Sequence, residues 1–354
     1  MKIRLAVLEK DSVYLERFVN VFQNRYQDKV EIYSFTEEEK AISNLESLKI
    51  DVFIVSEEFR INTKNIPSKC TLAYMVESDA IETMYGQLTI CKYHKAELIY
   101  KQILGLYSEI ASSDISLKVD SNSSGEIITF VSGSGGVGSS TMATACAINL
   151  SNLGKRVLYL NLEHRGYINQ YFNQEGQYGI SEIIYALKSK RSNLALKLES
   201  TVKRDACGVF FFDTPRNVMD VIELKSEDIS RLLTELCIIA AYDYIVLDIN
   251  FDFSTVCIEI LKKSSKIIFV SNGTEVANYK FEQAMKGLEV IEQQQNIRIL
   301  SRILLMYNAF SNKTSSMITN PSFRVIGGVP KFEGAPFKAV VDQVVTMNIF
   351  SCLL

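Results

Sequence analysis

Short apolar runs alternate along most of the chain with segments in which apolar positions recur at helical spacing. Runs of five or six apolar residues bounded by polar turns are typical of strands that are buried on both faces. Strands of this kind, separated by helices, indicate parallel sheets with helices on both sides. The pattern therefore predicts an α/β protein, and a polar stretch at 111–125 divides it into two regions.

The first region, residues 1–110, contains five predicted strands and three predicted helices. Five strands in about 108 residues favour a flavodoxin-like, doubly wound domain, which binds or reacts at the carboxyl ends of its strands. The predicted strands are Ile3–Leu8, Val30–Phe35, Asp51–Val55, Leu72–Val76 and Leu88–Cys91, and the predicted helices lie near 12–25, 37–47 and 95–108.

The second region, residues 126–354, reads as one larger doubly wound domain with a glycine-rich turn after its first strand. The residues at 111–125 are mostly Ser, Asn and Asp, so we interpret them as a linker. The predicted strands of this region are Glu126–Val131, Val157–Asn161, Gly208–Phe212, Tyr244–Leu247, Ile267–Val270 and Ile303–Met306.

Composition narrows the possible functions. The 354 residues carry 38 Lys and Arg against 41 Asp and Glu, a net charge of −3, which argues against binding nucleic acid through bulk electrostatics. No apolar run approaches the roughly 18 residues that a membrane helix needs, and charge appears too early for a signal peptide. Seven scattered cysteines fit reduced thiols. We expect a cytoplasmic protein, peripheral to a membrane at most.

The glycine-rich turn has the spacing of a phosphate-binding loop, G-x-x-x-x-G-x-[ST], without its lysine. Its glycines allow successive backbone N–H groups to turn toward a phosphate, and the following helix adds its dipole. Ser140 has the position of a Mg²⁺ ligand. The predicted nucleotide-binding residues of the loop are Gly133, Ser134, Gly135, Gly136, Val137, Gly138, Ser139, Ser140 and Thr141.

A second sequence signal of a nucleotide site, an acidic residue at a strand end, follows about 110 residues after the loop. The apolar strand Tyr242-Asp-Tyr-Ile-Val-Leu-Asp248 ends in a carboxylate. In nucleotide-binding folds of this type, an aspartate at that place holds Mg²⁺ through its water shell. Loop and strand, in this order, predict a site for ATP and Mg²⁺ in which Ser140 and Asp248 face the metal.

At this point the sequence resembles a known family. Ser134-Gly-Gly-Val-Gly-Ser-Ser-Thr141 is similar to the deviant Walker A box, Lys-Gly-Gly-Val-Gly-Lys-Ser-Thr, of the ParA/MinD ATPases. The resemblance makes Glu163 the catalytic candidate that orients the attacking water. It also implies that Asn308 contacts adenine and that Pro330, in Ile326-Gly-Gly-Val-Pro330, lies near the base.

The departures from the family concern charge. Both family lysines are serine here, Ser134 and Ser139, and Asn161 replaces an aspartate in the segment after the second strand. Each lost charge-assisted contact to phosphate costs on the order of 2–3 kcal/mol, and the transition state should suffer more than binding. We therefore expect ATP binding with weak or absent hydrolysis. Arg165, which follows Glu163 closely, is a surface arginine or a replacement charge.

Residues 1–110 resemble a response-regulator receiver domain. Glu9 and Asp11 follow the first strand, where receivers keep an acidic pair that binds Mg²⁺, and Lys92 follows the fifth strand. Ser56 stands where the receiver's phosphorylated aspartate belongs. The resemblance thus implies a pseudo-receiver that serves for docking.

A receiver-like domain ahead of a ParA/MinD-like domain is the layout of the TadZ/CpaE proteins, which place the Flp (Tad) pilus assembly machinery at a cell pole. The resemblance implies a cytoplasmic homodimer, protein partners in a pilus or secretion complex, and a location at the pole. The alternative is a positioning ATPase that acts on DNA or on the membrane surface. DNA binding would use the basic run at 188–204, and membrane binding the tail at 337–354, whose spacing favours a core or dimer helix.

Overall fold

In a computed structural model of the protein, the structure describes residues 2–111, 125–173, 178–189, 193–239, 241–320 and 323–354. The chain divides into two units. The first comprises Met1–Ser116 with Ser189–Thr201, and the second comprises Leu117–Lys188 with Val202–Leu354. Each unit is an α/β sheet structure, as the apolar pattern predicts.

The first unit is built around one sheet whose strands follow the order β2-β1-β3-β4-β6-β5. All neighbours are parallel except β5 and β6, which form a short hairpin. The order confirms the flavodoxin-like, doubly wound fold. Its elements are β1 (Ile3–Leu8), α1 (Ser12–Tyr26), β2 (Val30–Phe35), α2 (Glu38–Leu45), β3 (Val52–Ser56), β4 (Thr71–Val76), β5 (Thr83–Met84), β6 (Gln87–Cys91) and α3 (Ala96–Ile110).

Alternating residues of β1 show why this sheet has a core on each face. Leu5 and Val7 are buried with α1 and α3 on one face, whereas Ala6 and Leu8 are buried with α2 on the other. Because successive side chains of a strand point to opposite faces, a strand buried on both sides is apolar throughout. This is the reason that β1 and β3 could be located from apolar runs alone.

A helix from far along the chain also belongs to the first unit. Residues Leu194–Thr201, helix α6, pack on α3 and place Leu196 in the core beside that helix. The Lys29 ammonium lies 2.9 Å from the Glu199 carboxylate, which ties α6 to the turn between α1 and β2. The sequence-based division differs here, since it assigns the whole of 126–354 to the second domain; a local apolar pattern carries no information on the helix's distant partner.

The second unit contains an eight-stranded sheet in the order β14-β13-β12-β7-β11-β8-β10-β9. The neighbours are parallel apart from the short β9–β10 pair. Its elements are β7 (Glu126–Val131), α4 (Ser139–Asn152), β8 (Val157–Asn161), α5 (Ile180–Ser189), β9 (Lys203–Arg204), β10 (Phe210–Phe211), α7 (Val218–Ile222), α8 (Ser226–Ile238), β11 (Tyr244–Asp248), α9 (Thr255–Lys263), β12 (Lys266–Ser271), α10 (Glu275–Gln295), β13 (Ile303–Phe310), β14 (Arg324–Pro330) and α11 (Phe337–Thr346).

The last helix, α11, lies in the core of this unit. Val341 and Val344 are buried in the same apolar cluster as α4, and Phe350 and Leu353 extend that cluster after the helix ends. The apolar spacing of the tail is therefore used for packing against α4. Among the described residues, no helix combines the length and the hydropathy that a transmembrane span requires.

Candidate nucleotide-binding site

The glycine-rich loop leads from the central strand β7 to the start of α4. Helix α4 begins at Ser139, directly after Gly138, whose φ of 86° is in the left-handed region. Gly136 also has a positive φ, of 74°. Glycine adopts these angles without the steric cost that other residues incur, so the chain turns sharply and ends at a helix N-terminus. That terminus has unpaired N–H groups and a favourable dipole for an anion.

The loop forms one wall of an open cavity of about 450 Å³. All nine of the predicted loop residues, 133–141, line this cavity. Glu163 lines it as well, so the predicted loop and the predicted catalytic glutamate lie around one space. The other lining residues are Ser132, Gln170, Tyr171, Ile249, Asn250, Phe251 and Phe337.

The two serines that replace the family lysines are packed into the loop. The hydroxyl oxygens of Ser134 and Ser139 are buried and have no hydrogen-bond partner among the described residues. The described residues that line the cavity include no lysine or arginine. Arg165 is exposed and is not among them. The described part of the cavity thus offers backbone N–H groups and hydroxyls to an anion.

Asp248 ends β11 and is completely buried. Its Oδ2 accepts a hydrogen bond from the Tyr159 hydroxyl at 2.8 Å and a longer one from the Asn161 side-chain amide at 3.4 Å. Its Oδ1 has no hydrogen-bond partner among the described residues. Burial, and then the nearby charge of Glu163, raise the pKa of Asp248 to about 8. A bound cation would stabilise the carboxylate that burial disfavours.

Glu163 and Ser140 are in contact with each other. The Ser140 hydroxyl donates to Glu163 Oε2 at 3.2 Å. Asn161 fixes the glutamate's backbone, since its Oδ1 accepts from the Glu163 N–H at 2.9 Å. The predicted metal ligands Ser140 and Asp248, together with Glu163, therefore lie at one edge of the sheet, where the carboxyl ends of β8 and β11 meet the phosphate loop.

Asn308, which the family resemblance assigns to adenine, is attached to the phosphate loop. It is 7% exposed, and its side-chain amide donates to the Val137 carbonyl at 2.8 Å. A Cβ atom at Gly138 would overlap this amide. Pro330 lies at the exposed end of β14, and neither residue lines the cavity. Their contact with a base stays a prediction, whereas the support that Asn308 gives to the loop is visible.

Four aromatic residues at the site were not predicted: Tyr159, Tyr171, Phe251 and Phe337. Tyr159 donates to Asp248 from the buried strand β8, and Tyr171 and Phe337 pack with ring centroids 5.0 Å apart on the cavity wall. Burial, and then Asp248, raise the pKa of Tyr171 to about 12, so its hydroxyl stays protonated. A single tyrosine inside the otherwise aliphatic Val157-Leu-Tyr-Leu was the available sequence signal for Tyr159.

The carboxyl edge of the first unit's sheet is closed by an internal ion pair. Glu9 is 1% exposed, and its Oε2 lies 2.7 Å from the ammonium of Lys92. Asp11 caps α1 by accepting from the backbone N–H groups of Val13 and Tyr14. Ser56, at the end of β3, is buried, and its hydroxyl has no hydrogen-bond partner among the described residues. Both acids of the predicted pair are thus engaged within the fold.

Two cations of the candidate DNA-binding run form ion pairs. Lys188 lies 2.6 Å from Glu223, and Lys203, which is 6% exposed, lies 2.8 Å from Asp213. Residues 190–192, which include Arg191, lie outside the described residues. Lys188 and Lys203 are therefore used within the second unit, and neither ammonium is left unpaired at a surface for phosphates.

Comparison with protein families assigns both parts of the chain. Residues 1–108 match the family described as "TadZ-like, receiver domain", and residues 125–300 match the family described as "AAA domain". No curated protein matches the chain. Together the two family matches include the phosphate loop, Glu163 and Asp248 in the second part and Glu9, Ser56 and Lys92 in the first.

Solved structures similar to this chain include ParA and MinD proteins. A ParA family ATPase from Chlorobium tepidum TLS is 20% identical, with a TM-score of 0.49, over 64% of this chain and 92% of its own. A plasmid partition protein from Borrelia burgdorferi is 21% identical, with a TM-score of 0.49, over 65% and 100%. A MinC:MinD complex from Aquifex aeolicus is 16% identical, with a TM-score of 0.46, over 62% and 86%. The assignment of the two parts rests on the family matches.

Proposed function

We propose that this chain, which joins a TadZ-like receiver domain to an AAA domain of the ParA/MinD type, is an ATP-binding scaffold protein. The machinery that it serves in this proposal is the one that assembles the Tad pilus. In this proposal it binds Mg-ATP with weak or absent hydrolysis, forms a homodimer and recruits pilus or secretion components at a cell pole. The proposal that the chain binds a nucleotide is supported by one observation above all. The phosphate loop lies beside the buried Asp248, whose Oδ1 has no hydrogen-bond partner among the described residues.

The residues at the loop fit a nucleotide with Mg²⁺. The loop presents a helix N-terminus and two glycines in left-handed conformations, which is what a phosphate-binding backbone requires. The buried Oδ1 of Asp248 lacks a partner, and Ser140 lies on the same side of the sheet. Ser140 and Asp248 would hold the cation, which would neutralise phosphate charge when bound. This supply of charge matters more here because the lining residues that the structure describes include no lysine or arginine.

Weak hydrolysis follows from the same arrangement. Ser134 and Ser139 replace the two cations that would stabilise charge developing on the transferred phosphate. Glu163, the candidate for orienting water, has an oxygen engaged by the Ser140 hydroxyl. Backbone N–H groups still bind a phosphate, but they carry no net charge, so they offset less of the charge that develops at the transition state than a lysine does. We expect turnover well below the roughly 1 s⁻¹ of ordinary enzymes.

The receiver-like unit serves in this proposal as a docking module. Ser56 stands at the strand end where a phosphorylated aspartate would be needed, and the buried Glu9–Lys92 pair satisfies the acid that would otherwise bind Mg²⁺. A buried ion pair is costly to separate, because each partner left alone is an uncompensated buried charge. The unit is thereby held in one state without phosphorylation, which suits a constant recognition surface.

The localisation part is tested by imaging the tagged chain in its own cells beside an Asp248→Ala variant. We expect a stable polar focus for the native chain and loss of that focus for Asp248→Ala, because removal of a Mg²⁺ ligand weakens nucleotide binding. Asp342→Ala, an exposed acid on α11, is the control and should keep the focus. A nucleoid-wide or oscillating membrane pattern of the native chain would contradict the proposal and support a DNA- or membrane-positioning ATPase.

A further inference from the structure

A nucleotide carries several negative charges, and the cavity lining supplies no lysine or arginine among the described residues. The inference that follows rests on the proposed function. When ATP is bound, we expect a cation from a neighbouring element to approach its phosphates. Such a residue has to lie beside the loop, point to the carboxyl edge of the sheet and be free of an ion pair of its own.

Helix α10 passes directly beside the start of the phosphate loop. A Cβ atom built on Gly133 would lie 3.5 Å from both the Cβ and the carbonyl carbon of Lys280. The same position is 3.3 Å from the Phe269 ring. Gly133 therefore allows a close approach between the loop and α10, and Lys280 is the residue of the helix that stands at this approach.

The direction of α10 carries the lysine side chain toward the site. Strand β12 is parallel to β7, with Phe269 opposite Val131, so the segment after β12 leaves the sheet at the edge where the phosphate loop begins. Helix α10 starts there, at Glu275, and runs away from that edge. Helical side chains tilt toward the helix N-terminus, so the stem of Lys280 leans back toward this edge.

Lys280 is also free to act on a ligand. It is exposed, and among the residues described it has no ion pair or side-chain hydrogen bond. A lysine has a flexible four-carbon stem with three donors at its tip, which suits a contact with phosphate oxygens from a neighbouring element. Nothing in the sequence marked Lys280, because it lies about 140 residues from the loop that it adjoins.

We infer that Lys280 supplies the positive charge that the phosphate loop lacks, by contacting the phosphates of the nucleotide bound to the loop of the same chain. In proteins with a complete phosphate loop, the loop lysine neutralises the phosphates. Here the backbone of the loop would hold the phosphates in place, and the ammonium of Lys280 on α10 would neutralise their charge.

The test is a titration of the full chain with a fluorescent ATP analogue in the presence of Mg²⁺. We expect Lys280→Ala to weaken binding roughly tenfold or more, which is the usual effect of losing a charge-assisted contact. Lys280→Arg should stay within about threefold of the native chain, because it keeps the charge. Lys286→Ala is the matched control: it is also exposed on α10, but lies about 9 Å farther along the helix from the site.

A second variant shows whether the charge itself is the reason. Ser139→Lys restores a cation inside the loop, so in this background Lys280→Ala should cost less than about threefold. If Lys280→Ala binds as tightly as the native chain, or if Lys286→Ala weakens binding equally, the inference is wrong while the proposed nucleotide site stands. If the native chain binds no analogue, both fail together.

Discussion

We expect Gly138→Ala to abolish detectable binding of Mg-ATP and to lower the melting temperature of the protein. The residue has a φ of 86°, in the left-handed region, where a side chain costs about 1–2 kcal/mol. Its new Cβ would also overlap the Asn308 amide that holds the Val137 carbonyl. The loop has to shift away from Asn308, which removes the N–H groups from the positions that a phosphate needs.

The expected loss of stability for Gly138→Ala is about 2–3 kcal/mol, or roughly 4–12 °C in melting temperature. The measurement is thermal unfolding together with the ATP titration. Gly135→Ala is the control within the same loop, because Gly135 has an ordinary φ and, apart from its chain neighbours, no atom of the described residues lies within 4 Å of the position of its Cβ. It should melt within about 1 °C of the native chain. Full binding by Gly138→Ala would contradict the role given to the loop.

Asp248→Asn is expected to stabilise the nucleotide-free protein while removing its response to Mg²⁺. The pKa of Asp248 is about 8 in the folded protein, against about 3.9 for an unfolded aspartate. Between these values the folded state keeps a proton that the unfolded state has released, so the stability of the native chain falls as the pH rises from about 4 to about 8. Asparagine has no such titration and is isosteric.

The measurement is the difference in melting temperature between Asp248→Asn and the native chain, taken without nucleotide at pH 5 and at pH 8.5. We expect this difference to grow with pH by roughly 5 °C in favour of the variant. Added Mg²⁺ should increase the ATP affinity of the native chain and of the Asp342→Asn control, but not that of Asp248→Asn. Asp342→Asn, an exposed acid, is the control and should show no growth. A difference that is independent of pH would mean that the Asp248 carboxylate is not destabilised by its burial.

Most of the fold could be predicted because its strands are short, apolar and bounded by polar turns. The strands at 3–8, 30–35, 126–131 and 157–161 coincide residue for residue with the predicted ones. The hairpin partner Thr83–Met84 was missed, since two residues make no pattern. The helix Leu194–Thr201 was predicted neither as an element nor as part of the first unit, because its partner α3 lies some 90 residues earlier in the chain.

The parts of the candidate site that form a local sequence motif could be predicted. The parts that depend on side-chain contacts between distant residues could not. Glycines at fixed spacing and an aspartate at the end of a strand can be recognised in the sequence. The structure places them at the carboxyl edge of the second unit's sheet. Three contacts at the site join residues that are far apart in the chain. Tyr159 donates to Asp248, 89 positions away; Asn308 donates to Val137, 171 positions away; and Lys280 approaches Gly133, 147 positions away. Only the folded chain brings these pairs together.

We expect the phosphate loop of this protein to bind Mg-ATP even though it contains no lysine. Isothermal titration of the purified full chain with ATP, with Mg²⁺ and then with a chelator, tests it most directly. The expected result is saturable binding of one ATP per chain that weakens by at least tenfold without Mg²⁺, with turnover well below about 1 s⁻¹. Absence of binding at millimolar ATP with Mg²⁺, or affinity unchanged by the chelator, would contradict it.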